Sequence, residues 1–151
     1  MAFNPDSDGV NHVNVYSGGK TELGRFLSNF AKTPFVCEDG ELASIEGYWY
    51  WLGCNHPRRE ELRRSFGFGA KKLGRDLRSP DWGGNTPDFQ GKIKRAIECK
   101  LNSYPAMKAL LQHNTLPLIH YYVFGNGPSA KIHFDHRSDW IIAHIASFQE
   151  K

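Results

Sequence analysis

The chain of 151 residues carries 40% hydrophobic and 13% aromatic side chains, with 19 basic residues against 16 acidic ones for a net charge of +3. That length fits one domain able to bury roughly two-thirds of its unfolded surface, and the small positive balance suits contact with anions while excluding the charge density of a nucleic-acid coat protein. No run of about 18 apolar residues occurs, which excludes a helical membrane span, and the polar N-terminal stretch does not read as a signal peptide, so a cytoplasmic location is expected.

Residues 1–12 are polar and contain Pro, Gly and Asp, which predicts a flexible leader ahead of one domain spanning 13–149. Val13 to Tyr16 alternates and predicts a short strand ending at Ser17-Gly18-Gly19. The run Ser17 to Thr21 lacks the glycine spacing of a nucleotide-triphosphate loop. The segment from Phe26 to Leu52 then gathers most of the chemically pointed residues. Ser28 and Asn29 lie between Phe26 and Phe30, a polar pair at the edge of an apolar surface. Pro34 to Cys37 and Glu41 to Ala43 predict two strands joined through Glu38-Asp39-Gly40. Ser44 is an N-cap for the helix that follows, with Glu46 in its first turn, where a carboxylate interacts well with the helix dipole. On that helix Glu46, Trp49, Tyr50 and Gly53 share one face at spacings of three and four, so a carboxylate stands beside aromatic rings, as a planar ligand would need.

Pro57 predicts the start of another helix reaching about Phe66, with Arg58, Arg59, Arg63 and Arg64 set against Glu60 and Glu61. Gly67 and Gly69 are expected to break the chain. From Arg58 to Arg78 eight basic residues face three acidic ones, the best candidate for an anion-facing surface. Within it, Gly74 removes a side chain beside Lys72 and Arg75, so a pyrophosphate could reach the backbone while Arg75 binds its oxygens in pairs. Trp82, on the loop from Ser79 to Asn85, is either a core plug or a stacking plate for a base.

Thr86 is expected to cap the next helix, with Pro87 at its first position. Phe89, Ile93, Ala96, Ile97 and Tyr104 form its apolar stripe, and Lys100 falls inside that stripe, where it would snorkel, pair with an acid or face a ligand. A helix from Pro105 carries Met107, Ala109, Leu110 and Leu111 toward the core. Leu116 to Phe124 predicts one buried strand, turned by Gly125 to Pro128 into a second at Lys131 to Phe134. A final helix from Ser138 to Gln149 puts Trp140, Ile141, His144, Ile145 and Phe148 on one face. His120, His133 and His136 have no clear carboxylate partner, so neither a metal nor a cofactor is expected. Cys37, Cys54 and Cys99 include no Cys-x-x-Cys pair, and three reduced, buried thiols are expected.

Phe26-Leu-Ser-Asn-Phe30, Pro34, the Asp39-Gly40 turn and Ser44-x-Glu46-x-Tyr48 together resemble the signature of the NADAR (YbiA-like) family. The resemblance extends back to the aliphatic-x-x-Tyr-Ser segment ending at Ser17 and forward through Ala70-Lys-Lys-Leu-Gly-Arg75 to Trp82. It implies a single YbiA-like multihelical domain and N-glycosidase activity on ribose-linked substrates: ADP-ribosylated guanine in nucleic acid, or a riboflavin-pathway intermediate. It implies Glu46 as a catalytic residue, with Ser28, Asn29, Phe30, Tyr48, Trp49, Lys72, Gly74, Arg75 and Trp82 as substrate contacts. The chain departs from the family pattern at Gly47, where a His is usual, at Gly53, where a Lys is frequent, and at His120, where a Glu is expected.

These readings give a mainly helical α+β fold, five or six helices around a small amount of sheet. Two functions remain open. In the first, Glu46 and Lys100 are catalytic in an N-glycosidase, by hydrolysis or through a lysine imine with Lys72 as the next candidate. In the second, the same surface is a non-catalytic ADP-ribose or nucleic-acid binding module. The partner in either case is an ADP-ribose-containing molecule on DNA or RNA.

Overall fold

A computed structural model describes residues 3–80, 82 and 86–149. The loop positions 81 and 83–85 and the first two residues of the expected leader lie outside the described residues. Where one domain is expected from the sequence, the chain divides into two compact units, one formed by residues 29–105 and one by residues 1–28 with 106–151.

The central unit, 29–105, opens with the hairpin of β2 (Phe35–Cys37) and β3 (Gly40–Leu42), in register Phe35 with Leu42 and Cys37 with Gly40. Gly40 takes a φ of 101°, a conformation that glycine adopts without strain, and so the Asp-Gly turn closes as its sequence predicts. Helix α2 (Ile45–Trp51) follows, and the Ser44 hydroxyl accepts the Gly47 N–H at 3.0 Å as an N-cap should.

The expected helix to Phe66 is instead a 3-10 segment, Arg59–Arg64. Carbonyls that a longer α-helix would need are taken by its neighbours: the Arg63 carbonyl accepts from Ala43 N at 2.8 Å and the Ser65 carbonyl from the Ser44 hydroxyl at 2.8 Å. Nor does the chain break at Gly67 and Gly69. Both lie in the first turn of α3 (Gly67–Leu77), where Gly67 has a φ of 59° and donates its N–H to the Phe30 carbonyl at 3.0 Å.

Helix α4 (Phe89–Ser103) begins two residues later than the Thr86 cap predicts. Its cap position is Asp88, left-handed at φ 56°, whose carboxylate lies against Gly91 and pairs with Arg95 at 3.1 Å. Ile93, Ala96, Ile97, Lys100 and Leu101 form its buried face, and α4 packs on β2 and α2.

In the terminal unit, β1 (Val13–Asn14) pairs in parallel with β4 (Leu118–Ile119). Between them in sequence lie α1 (Glu22–Leu27), capped by Thr21, and α5 (Pro105–His113), which buries Leu111. The single strand expected over Leu116 to Phe124 divides at His120. The Asn14 carboxamide takes both backbone groups of Tyr121, each at 3.0 Å, and so replaces the ladder at the point where the chain leaves β1. From there β5 (Tyr121–Phe124) forms a hairpin with β6 (Lys131–Phe134), and α6 (Asp139–Ala146) buries Ile141 and Ile145.

The expected leader is folded from residue 4 onward. Asp8 is buried and accepts the N–H groups of Asn14 at 2.9 Å and Lys20 at 2.8 Å, and the buried His12 ring meets the Tyr121 hydroxyl at 2.7 Å. Among the described residues no helix is long and apolar enough to cross a membrane. Cys54 is buried, while Cys37 and Cys99 are only half-buried, and all three are free thiols.

Candidate active site around Glu46

Glu46 enters the first turn of α2 with its N–H donated to the Asn29 carbonyl at 2.9 Å. The Ser-Asn-Phe segment therefore acts here through its backbone: the Asn29 carbonyl holds the start of α2, and the Phe30 carbonyl holds the start of α3. The Glu46 carboxyl is poorly solvated, and burial pushes it up to about 7, opposed by the charges of Lys71 and Arg75 on α3. One turn further along α2, burial and the Glu46 charge raise the Tyr50 hydroxyl, while a hydrogen bond with Arg75 counters the rise.

The approach of α3 to α2 depends on Gly74. A Cβ at that position would overlap the Tyr50 ring, so this glycine serves helix packing, and the expected backbone approach by a pyrophosphate is corrected. Lys72 is exposed and pairs with Asp76 at 3.4 Å. Lys71, half-buried, is the lysine whose charge acts on Glu46. Spacing carries the signal for this: Lys72 stands four residues before Asp76, an i,i+4 partner, whereas Lys71 stands four before Arg75 and so shares its face.

Tyr48, expected to touch substrate, is 0% exposed and donates its hydroxyl to Asp39 at 2.5 Å. It is a core residue. Trp49 and Trp82 do come together, with ring centroids 6.4 Å apart, beside Phe89. Trp82 packs on Tyr50: one face stacks on that ring at 5.2 Å and its indole N–H donates to the Tyr50 carbonyl at 3.2 Å, and the side chain is half-buried. Ser28 belongs to the terminal unit, buried at the C-cap of α1.

Lys100 is 2% exposed on the buried face of α4, and burial alone lowers it to about 7. Burial shifts both groups, the carboxyl upward and the amine downward, and at Glu46 the charges of Lys71 and Arg75 act against it. The basic stretch divides as well. Arg58 makes two bonds to Glu61, at 2.7 and 2.9 Å, while Arg59 and Arg63 lie over the Trp51 ring at 3.6 and 4.4 Å. A broad surface cleft of about 530 Å³ at the C-terminal end of α2 is walled by Trp51, His56, Arg59 and Glu60. Its Arg59 and Glu60 are already engaged with Trp51. The histidines serve local contacts: His120 bonds the Val15 carbonyl at 2.6 Å, His133 stacks on Tyr122, and His136 meets Asp139 at 3.0 Å.

No protein-family model matches the chain, and no curated protein matches it. Among solved structures it is similar to the NMR structure of the E. coli protein YbiA, with 22% sequence identity, a TM-score of 0.61, and coverage of 96% of this chain and 92% of that one. At that identity the likeness speaks for the fold, and it runs through both units. The chain has the YbiA-like, mainly helical α+β fold that the NADAR resemblance implies.

Proposed function

We propose that the chain is an N-glycosidase that removes ADP-ribose from ADP-ribosylated guanine in nucleic acid. The observation that carries this reading is the Glu46 carboxyl, withdrawn from solvent, brought to about 7 and faced by the cations of Lys71 and Arg75. An N-glycosidic bond breaks through an oxocarbenium-like sugar, which calls for negative charge near C1′ and positive charge at the attached phosphates. Ionised Glu46 supplies the first and accepts a proton from water. The water oxygen bonds to C1′ as the C1′–N bond breaks; the electron pair leaves with the base, and the proton held by Glu46 passes to the base nitrogen. Arg75 and Lys71 hold the diphosphate, the guanidinium by paired bonds, and Trp49 with Trp82 supplies aromatic surface.

A lysine route has one observation in its favour, the lowering of Lys100 to about 7 by burial. A neutral amine can displace the base from C1′ and hold the opened sugar as an imine, which water then releases. Borohydride added during turnover distinguishes the routes: a reduced ADP-ribosyl adduct on Lys100 supports the imine, and an unmodified protein supports hydrolysis.

The deciding experiment offers purified protein ADP-ribosylated DNA, free ADP-ribose and the riboflavin-pathway intermediate side by side, with products resolved by mass. Glu46→Gln keeps the shape of the site and removes its charge, so binding should survive while turnover falls about 10²-fold or more. A fully active Glu46→Gln protein would overturn the assignment. Tight ADP-ribose binding with no turnover of any substrate would make the chain a binding module. Because the ionised carboxyl is required, kcat/KM should rise as pH climbs through about 7.

A further inference from the structure

Phe68 has no role in the fold that its packing would explain. It is 76% exposed, in the first turn of α3, between two glycines beside which an added Cβ would meet nothing within 4 Å. Its ring meets Phe30 edge-to-face at 5.2 Å. Phe30 follows Asn29, whose carbonyl accepts the Glu46 N–H, and the Phe30 carbonyl itself accepts the N–H of Gly67. The exposed ring therefore borders the same backbone junction that positions Glu46. Along α3, Lys71 comes one turn after Phe68, and Arg75 one turn after Lys71. At about 1.5 Å per residue the axial distance from Phe68 to Arg75 is about 10 Å.

We infer that Phe68, braced by Phe30, is the stacking plate for the nucleobase released at Glu46, an assignment that rests on the N-glycosidase reading. Along α3 the aromatic ring precedes the cations, as the base precedes the phosphates in a base-linked ribose 5′-diphosphate, and the Glu46 carboxyl of α2 starts from the junction that the ring borders. A ring this exposed suits a purine, whose π-face stacks without hydrogen-bond readout. Trp82 is less available for this, since Tyr50 already occupies one of its faces.

The test compares Phe68→Ala, Phe68→Leu and Phe68→Trp, with thermal melting as a check that exposed substitutions leave the fold intact. The probes are an oligonucleotide carrying one ADP-ribosylated guanine, and free ADP-ribose. Turnover is measured in the otherwise wild-type protein, and equilibrium affinity in the Glu46→Gln background. Alanine and leucine should each weaken oligonucleotide binding and raise KM about tenfold or more, while tryptophan preserves both. Free ADP-ribose, which lacks the leaving base, should bind all three variants as it binds the parent. Leucine performing as well as phenylalanine would overturn the inference, because apolar contact without a π-face would then suffice. Equal weakening of free ADP-ribose would also overturn it, assigning the ring to the adenine instead. A wild-type protein without turnover would overturn the glycosidase reading alone; affinity in the Glu46→Gln background would still decide whether Phe68 stacks the base.

Discussion

The 3-10 segment Arg59–Arg64 and helix α3 are adjacent and basic, yet their cations find different partners. In the first, guanidinium groups lie over Trp51 and pair with Glu60, holding the C-terminal half of α2 in place. In the second, Lys71 and Arg75 act on the carboxyl at the N-terminal end of the same helix. A count of charges groups the two regions as one anion-binding surface. What separates them is the partner each cation finds at helical spacing or across the packed interface.

Four substitutions sharpen that contrast. The largest effect is expected at Arg75: alanine there should weaken ligand binding by about 1.5–3 kcal/mol, the scale of charge-assisted hydrogen bonds, with little change in melting. Unaltered affinity with lowered stability would place Arg75 with the structural arginines. Arg63→Ala should do the reverse, costing about 0.5–1 kcal/mol of stability through its lost cation–π contact while ligand affinity holds.

Lys71→Met acts on titration. Lys71 holds the Glu46 carboxyl down against burial, so its loss should move the rising limb of kcat/KM to higher pH, with the high-pH plateau less affected than the midpoint. A stationary limb would mean that another group controls it. The smallest effect belongs to Lys72→Ala, which removes an exposed i,i+4 pair with Asp76; activity and affinity should stay within twofold, and stability within about 0.5 kcal/mol. A large loss of binding there would return Lys72 to the site.

Lys100 tests the other buried charge through stability alone. Its folded value is lowered to about 7 from 10.5, so wild-type stability is highest above 10.5 and declines as pH falls toward about 7, becoming level below. The advantage of Lys100→Met over the wild type should therefore grow across that interval on cooling-reversible melts taken at each pH. A pH-independent difference would show that the amine stays charged in the fold.

Local chemistry made much of the fold legible. The Ser44 cap, the Asp39-Gly40 turn and the apolar face of α4 are each decided within a few residues, and each stands where its sequence places it. Glu46 could be singled out because a carboxylate on an aromatic helix face is hard to place in the core. What escaped was set by tertiary contacts. The 3-10 segment depends on its carbonyls accepting from the Ala43 N–H and the Ser44 hydroxyl; Gly74 depends on the Tyr50 ring, and Tyr48 on Asp39. Lys71 and Lys72 are neighbours of one type, and only the packing of α3 on α2 decides which charge acts on Glu46; an exposed phenylalanine such as Phe68 has no periodic signature.

Gly47 sets how closely the 3-10 segment seats on α2. A Cβ here would run into the Leu62 and Ser65 carbonyls, so position 47 is closed to any side chain while that segment keeps its place. The missing side chain and the close seating are one structural commitment, and a substitution at position 47 would be felt first in the 3-10 segment.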